Sequence, residues 1–429
     1  MTEARPGSIL SVLDVGLLRS EPERIAESLR RRGVDVDLDR LVALDEKIRK
    51  VRHEAEEVRA TQKRLGKEIA RLAGDEKQEA IARASELADR YKALNEEVER
   101  LEEEFREAWI TLPNLVDPTA ADGFTEEDNV EVRRVGEPPV FDFEFADHAT
   151  LGERLDVIDT ARAAKVSGTR FGYIKGQGAL LEFGLVRWAM ERLVGEGFTP
   201  MVPPVLVREM ALFGTGFFPG DREQVYAIPQ DDLYLVGTSE VSLAAYHADE
   251  ILEPEALPIR YAGFSTCFRR EAGTYGKDTT GIFRVHQFDK VEMFVFCQPD
   301  ASRDEHERLL AIEESLVQAL ELPYRVVNVA AGDLGASAAK KYDIEAWFPS
   351  QGRYREITSC SNTTDFQSRR LKVRTRGEKG THLVHTLNGT AVAVGRVLIA
   401  ILENHQRPDG TVAVPAALRP YVGFDAFTP

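Results

Sequence analysis

Residues 261–278 read Tyr261-Ala-Gly-Phe-Ser-Thr-Cys-Phe268 and then Arg-Arg-Glu-Ala-Gly-Thr-Tyr-Gly-Lys-Asp278. The first part is a largely apolar run that predicts a strand, Ile259–Phe268. Arg269 and Glu271 stand two residues apart at its end, and a strand sets residues i and i+2 on one face. Such a pair is either a plain ion pair or one side of a site for a ligand needing both a cation and an acceptor, such as a nucleotide. The surrounding chain decides which.

Downstream and upstream of this run, extended segments are expected at Phe198–Val207, Tyr234–Val236, Val285–Phe296, Tyr324–Val329, Asp343–Phe348 and Tyr354–Ser359. Helices are expected at Leu180–Glu196, Asp304–Leu320 and Thr390–Asn404. Strands cluster without βαβ alternation, which favours an antiparallel sheet in an α+β domain. Pro203-Pro204 cannot donate to a ladder, so the Phe198–Val207 segment belongs at an edge or interface.

The N-terminal quarter is different. Leu41, Leu44, Ile48, Val51, Ala55, Val58, Leu65, Ile69 and Leu72 follow a heptad repeat with Gln62 in one seat. Gly74 ends it, and Asp75 with Gln78 resembles a capping box for a second helix. That helix carries Ile81, Ala84, Ala88, Tyr91, Leu94, Val98, Leu101, Phe105, Ala108 and Leu112, and Pro113-Asn114 ends it. The two predict an antiparallel hairpin (about 41–112) with an arm of roughly 48 Å at 1.5 Å rise per residue. Between Lys47 and Arg71 there are nine basic residues against four acidic, a net of +5. The later half of the second helix is acidic. The first helix is thus either a solvated face or a surface for a polyanion. A turn-rich acidic stretch (Asp117-Pro118, Asp122-Gly123, Glu126 to Asn129, Glu137-Pro138-Pro139) separates an N-terminal domain, 1–115, from a second, 116–429.

Over 429 residues the net charge is −17, which argues against general nucleic-acid affinity and restricts any nucleic acid to a local basic surface. Cys267, Cys297 and Cys360 are far apart, which fits a reducing cytoplasm and disfavours disulfide or zinc frameworks. No run of 18 apolar residues occurs, and the segment Met1 to Leu18 lacks a long apolar core, so neither a membrane span nor a signal peptide is expected.

Four polar groups accompany the predicted strands. Thr238-Ser239-Glu240 suits a small ligand carrying an ammonium and a hydroxyl, or simply starts a helix. In Arg284-Val-His-Gln-Phe-Asp-Lys-Val-Glu292, alternation places Arg284, His286, Phe288, Lys290 and Glu292 on one face. That face is a floor for a charged planar ligand, or an exposed ion-paired surface. Glu356 and Ser359, in Arg355-Glu-Ile-Thr-Ser359, offer oxygen ligands suited to Mg²⁺, or end a strand. Asn388-Gly-Thr-Ala-Val-Ala-Val-Gly-Arg396 opens the last helix with small residues and an Arg near its start. There is no P-loop, and no G-x-G-x-x-G follows a strand.

Taken in order, these blocks resemble those of seryl-tRNA synthetases, which are class II aminoacyl-tRNA synthetases, and the likeness covers almost the whole chain, including Leu112-Pro113-Asn114-Leu115. The resemblance implies a class II antiparallel sheet flanked by helices, an N-terminal coiled-coil arm that grips tRNA(Ser), and a homodimer formed through helix 180–196 and the Pro203 strand. It implies activation of L-serine by ATP to seryl-adenylate, then transfer to tRNA(Ser), and also to tRNA(Sec) where present. Arg269, Glu271 and Arg396 match catalytic positions at the α-phosphate, the adenine and the γ-phosphate. The ATP site would comprise these with Arg270, Val285, Phe288, Glu356, Ile357, Thr358 and Ser359. Glu356 and Ser359 match the magnesium ligands. Thr238, Ser239, Glu240, Glu292, Asn388 and Thr390 would form the serine pocket. Ala272 to Asp278 becomes a loop over the site. Thr280 stands where the family pattern has a basic residue, which bears on contacts with the tRNA acceptor end. Rival readings are a carrier-protein-loading relative, which would lack the arm, a paralogue with a biosynthetic or resistance role, and a coiled-coil scaffold, which would have broken motifs.

Overall fold

Apolar periodicity and turn chemistry divide the chain into two units. The computed structural model describes residues 13–273 and 280–428. Most of the N-terminal segment and most of the loop expected over the site therefore lie outside the described residues. One unit contains the chain up to Arg30 with Val34–Leu112, and the other Arg31–Gly33 with Pro113–Pro429.

In the first unit two long helices, Leu38–Ile69 and Gly74–Trp109, pack together. Leu41, Ile48, Val51, Ala55 and Val58 are buried along the first, as the heptads require. The second buries Val98, Leu101 and Phe105 as expected but departs from expectation at its two ends. Ala80 is buried and Ile81 is half exposed, and Trp109 rather than Ala108 fills the last core seat. Trp109 stacks on Phe105, so the larger ring takes the buried seat. The expected capping box is also absent: the helix starts at Gly74 after Ala73, with no side-chain cap. The opposed charges of the two helices meet as Arg40–Glu104 (2.6 Å), Lys47–Glu97 (3.2 Å), Arg52–Glu102 and Glu54–Arg90 (2.6 Å). Towards the tip, Lys63, Arg64, Lys67 and Arg71 form no ion pair among the described residues.

The second unit is built on an eight-stranded sheet. In chain order its strands are β1 (Val130–Val135), β2 (Thr199–Met201), β3 (Ile259–Phe268), β4 (Gln287–Cys297), β5 (Tyr324–Asn328), β6 (Lys340–Phe348), β7 (Arg353–Thr364) and β8 (His385–Ala393). Their order across the sheet is β1-β5-β6-β7-β8-β4-β3-β2, and every pairing is antiparallel except β2 with β3. The stretch expected as pure linker thus supplies an edge strand, β1. Pro200 is inside the other edge strand, β2, where its missing N–H costs no ladder bond.

Alternation along β4 sorts its side chains. Val291, Met293, Val295 and Cys297 join the main core, while Phe294 and Phe296 join a smaller cluster with Leu243, Leu371 and Val384. The longest helices that contribute to that main core are Gln177–Gly195, Ser302–Ala319 and Val394–Asn404. The last has Val397 to Leu402 all buried, as befits a central helix. It begins at Val394, so Thr390–Ala393, expected as its first turn, is instead the end of β8. The β-branched Thr390 and Val392 suit a strand, and they pair with Glu292 and Val291 of β4.

Candidate active site

Two adjoining cavities open on the polar face of this sheet. The first is lined by Arg269, Glu271, Phe283, Arg284, Val285, Phe288, Glu356, Ile357, Thr358 and Arg396, among others. The second is lined by Thr238, Glu240, Glu292, Asn388 and the loop Gly335–Ala338. Arg269, Lys290, Ser359 and Thr390 line both.

Arg269 follows the last residue of β3, and Glu271 lies beyond it with φ of 51°, a left-handed conformation uncommon for a residue with a side chain. They share a cavity through this bend and not through strand alternation. Neither is the other's partner. Arg269 Nε donates to the Gly237 carbonyl (3.2 Å), and its guanidinium is 5.2 Å from the Phe288 ring centroid. Glu271 is paired with Arg284 at 2.7 Å. The cavity is therefore framed by an aromatic ring, cations and an acceptor. Phe283, which the sequence reading did not single out, lies under both Arg355 (4.2 Å) and Arg396 (5.1 Å).

Glu356 and Ser359 are three apart on β7, an odd spacing that ordinary alternation would split between faces. The register shifts between Thr358 and Glu356, which pair with Ile344 and Glu345, and leaves Ile357 as the extra residue of a bulge. Both side chains can then address one cavity. Burial alone would push Glu356 up, but Lys341, Arg396 and Arg269 outweigh it and hold the carboxyl at about 2. Arg396 also donates to the Glu356 carbonyl at 2.8 Å and faces its carboxylate at 3.4 Å. An ionised carboxylate and a hydroxyl, without a His or Cys, suit a hard divalent cation.

The second cavity holds two buried carboxylates. Glu292 is ion-paired with Lys290 and accepts from the Thr390 hydroxyl at 3.3 Å. Glu240 accepts from the Gln367 amide at 2.7 Å and has no cation partner among the described residues. Burial and the neighbouring Glu292 push its carboxyl up to about 7, against the pull of Lys290. The helix-start reading of the Thr238–Glu240 triplet holds, since a helix does begin at Glu240, whose N–H donates to Thr238 Oγ1 at 3.2 Å.

Two expected site residues stand apart from both cavities. Ser239 is fully buried with its hydroxyl on the Gly263 carbonyl (3.4 Å). Arg270 turns outward over the Tyr226 ring at 5.7 Å. His286, expected on the shared face of β4, precedes the strand and is half-buried, with Nδ1 2.9 Å from the Arg269 carbonyl oxygen. Arg284 also precedes the strand but still reaches the first cavity. Unforeseen lining residues are Thr215 to Phe217, Lys341, Ser361 and the Gly335–Ala338 loop. Of these only Lys341, a charge beside the acidic Asp343, carried any local signal.

Comparison with known proteins agrees with this geometry. Residues 225–405 match the model of the tRNA synthetase class II core domain (G, H, P, S and T), and residues 12–116 match the seryl-tRNA synthetase N-terminal domain. The chain is 54% identical to the serine–tRNA ligase of Thermobifida fusca over 97% of this chain and 99% of the relative. It is 54% identical to that of Acidothermus cellulolyticus over 97% and 100%. The seryl-tRNA synthetase of Pyrococcus horikoshii, solved with ATP, superposes with a TM-score of 0.93 at 42% identity, covering 97% of this chain and 99% of that one. With the antiparallel sheet, the two joined cavities and the helical arm already accounted for, the chain belongs to the seryl-tRNA synthetase family of class II aminoacyl-tRNA synthetases.

Proposed function

We infer that the protein is a serine–tRNA ligase that activates L-serine with ATP and transfers the seryl group to tRNA(Ser). The observation that carries the assignment of roles is the junction of the two cavities at Arg269, because the new bond must form where nucleotide and amino acid meet. The first cavity takes ATP. Phe288 offers a face to the adenine, Glu271 an acceptor to its amino group, and Arg396 a cation to the far phosphates; Val285, Ile357 and Thr358 complete the walls. The second cavity takes serine. Glu240 and Thr238 receive the ammonium, while Glu292, already neutralised by Lys290, and Thr390 receive the hydroxyl beside Asn388. Alanine would leave that acceptor pair unsatisfied, and a close wall excludes threonine's methyl.

The serine carboxylate, already ionised, attacks the α-phosphorus in line, so no general base is required. Arg269 stabilises charge developing on the α-phosphate while pyrophosphate departs past Arg396. A terminal ribose hydroxyl of the tRNA then attacks the seryl carbonyl and releases AMP. Glu356 and Ser359 would hold Mg²⁺, whose chemistry is to neutralise the phosphates.

Residues 1–115 form the tRNA-binding domain in this reading, with 116–429 catalytic. The unpaired bases near the arm tip support a tRNA contact, and tRNA(Sec) would enter by the same arm. A homodimer is supported by exposed apolar side chains: Leu180 and Phe183 (72% exposed) on the Gln177–Gly195 helix, and Val202 (82%) after β2. Three buried free thiols suit the cytoplasm, and among the described residues no helix is long and apolar enough to cross a membrane. The test is aminoacylation of tRNA(Ser) with an intact or shortened variable arm. The expected result is charging of the first and a large loss of kcat/KM with the second; equal charging would remove the proposed role of the helical arm.

A further inference from the structure

One wall of the amino-acid cavity is a loop without regular structure, 334–338, between the short turn Ala331–Asp333 and β6. Its backbone carbonyls are taken one after another by two residues far away in the chain. Arg32 Nη1 donates to the carbonyls of Leu334 (3.2 Å) and Gly335 (3.3 Å), and Nη2 to that of Ala338. The Asn114 main-chain N–H donates to Ala336 (2.8 Å), and its side-chain amide to Ser337 (2.8 Å). The two holders are themselves joined, since Arg32 Nε donates to the Asn114 carbonyl at 2.9 Å. Asn114 is anchored to β7 through the Thr363 carbonyl (2.8 Å) and the Thr364 hydroxyl (3.0 Å).

This is a costly arrangement for a loop. Arg32 is only 6% exposed and Asn114 2%. No carboxylate pairs with the guanidinium among the described residues, so carbonyl dipoles alone compensate its desolvation. Burial lowers it to about 10, which still leaves it charged at neutral pH. A planar fork with five donors can satisfy several carbonyls at fixed angles, which the three donors of a point-like ammonium cannot do.

We propose that Arg32 and Asn114 are positioning residues for serine. By holding all five carbonyls of 334–338 they fix how near that wall stands to Thr238, Glu240, Glu292 and Thr390, and hence the room left beside the serine hydroxyl. The proposal rests on reading this cavity as the serine site, and the experiment separates the two.

Serine- and threonine-dependent ATP–pyrophosphate exchange is measured on the full chain for the wild type, Arg32→Lys, Asn114→Ala and Thr390→Val. The expected result is a rise of at least tenfold in KM for serine in Arg32→Lys and Asn114→Ala, with KM for ATP within twofold and the serine-over-threonine preference reduced several-fold. If Thr390→Val raises KM for serine while neither other variant changes it or the threonine preference, this inference is wrong and the cavity reading stands. If Thr390→Val also leaves KM for serine unchanged, the cavity reading itself falls. If the Arg32 and Asn114 variants lose thermal stability and raise KM for ATP and serine in parallel, the two residues are merely structural and the proposal is overturned.

Discussion

Replacing Glu240 by Gln should improve stability and damage function at the same pH. Glu240 is 7% exposed, and its carboxyl is pushed up to about 7 by burial and by Glu292, with Lys290 and the Gln367 and Asn388 amides opposing. In the unfolded chain the same group titrates near 4.5. The native state therefore binds the proton more tightly than the unfolded state does. Below about pH 4.5 the carboxyl costs nothing. Between about 4.5 and 7 the cost grows, and above 7 it is fully present, at most about 3.5 kcal/mol from about 1.4 kcal/mol per pH unit. Glu240→Gln removes the cost and keeps the shape, so the variant should unfold at a higher temperature than the wild type at pH 8 and converge with it towards pH 4.5. Function runs the other way. If only the ionised carboxylate holds the serine ammonium, about ten in eleven molecules are competent at pH 8 and about one in eleven at pH 6. KM for serine in pyrophosphate exchange, at saturating ATP, should then rise about tenfold from pH 8 to pH 6. In Glu240→Gln it should be high throughout, by roughly 30-fold or more over wild type at pH 8 for loss of a charge-assisted bond of about 2–3 kcal/mol, and flat with pH. Asp221 also lines the cavity and is raised by burial, so the comparison between variant and wild type isolates Glu240. A wild-type KM for serine that does not change from pH 6 to 8, or a Gln variant less stable than wild type at pH 8, would refute this reasoning.

Two further outcomes are expected. Replacing Lys63, Arg64, Lys67 and Arg71 together by Gln should raise KM for tRNA(Ser) and flatten its salt dependence, with serine-dependent exchange unchanged; a parallel loss of exchange would mean that the arm's charges serve folding. Gly389→Ala should destabilise the protein by about 1–3 kcal/mol in chemical unfolding, because the new methyl would meet Glu313 Oε1 at 2.8 Å, Cys360 Cβ at 3.2 Å and Met293 Cε at 3.2 Å. A neutral result would show that the helix carrying Glu313 gives way easily.

The parts legible in the sequence were those where one face of an element differs chemically from the other. β4 alternates core residues with Phe288, Lys290 and Glu292, and the first arm helix keeps its heptads in register, so both could be read directly. The start of the second arm helix could not, because its small and polar residues leave Ala80 and Ile81 as competing seats and packing decides between them. Thr390–Ala393 read as helix because small apolar residues suit both states, and pairing with β4 made it strand. Glu356 and Ser359 came together through a bulge that no local pattern announces. The Gly335–Ala338 wall and Phe283 reach the site through tertiary approach alone. Ser239 and Arg270 show the converse, where motif neighbours of lining residues turn away because the chain bends beside them.

The central claim is that the two cavities meeting at Arg269 join serine to the α-phosphate of ATP. Amino-acid-dependent ATP–pyrophosphate exchange tests it most directly, with serine, alanine and threonine as substrates and Arg269→Ala beside the wild type, its fold checked by circular dichroism. Exchange with serine far above that with alanine or threonine, abolished in a folded Arg269→Ala, is the predicted result. Exchange driven best by another amino acid, or undiminished without the Arg269 guanidinium, would contradict it.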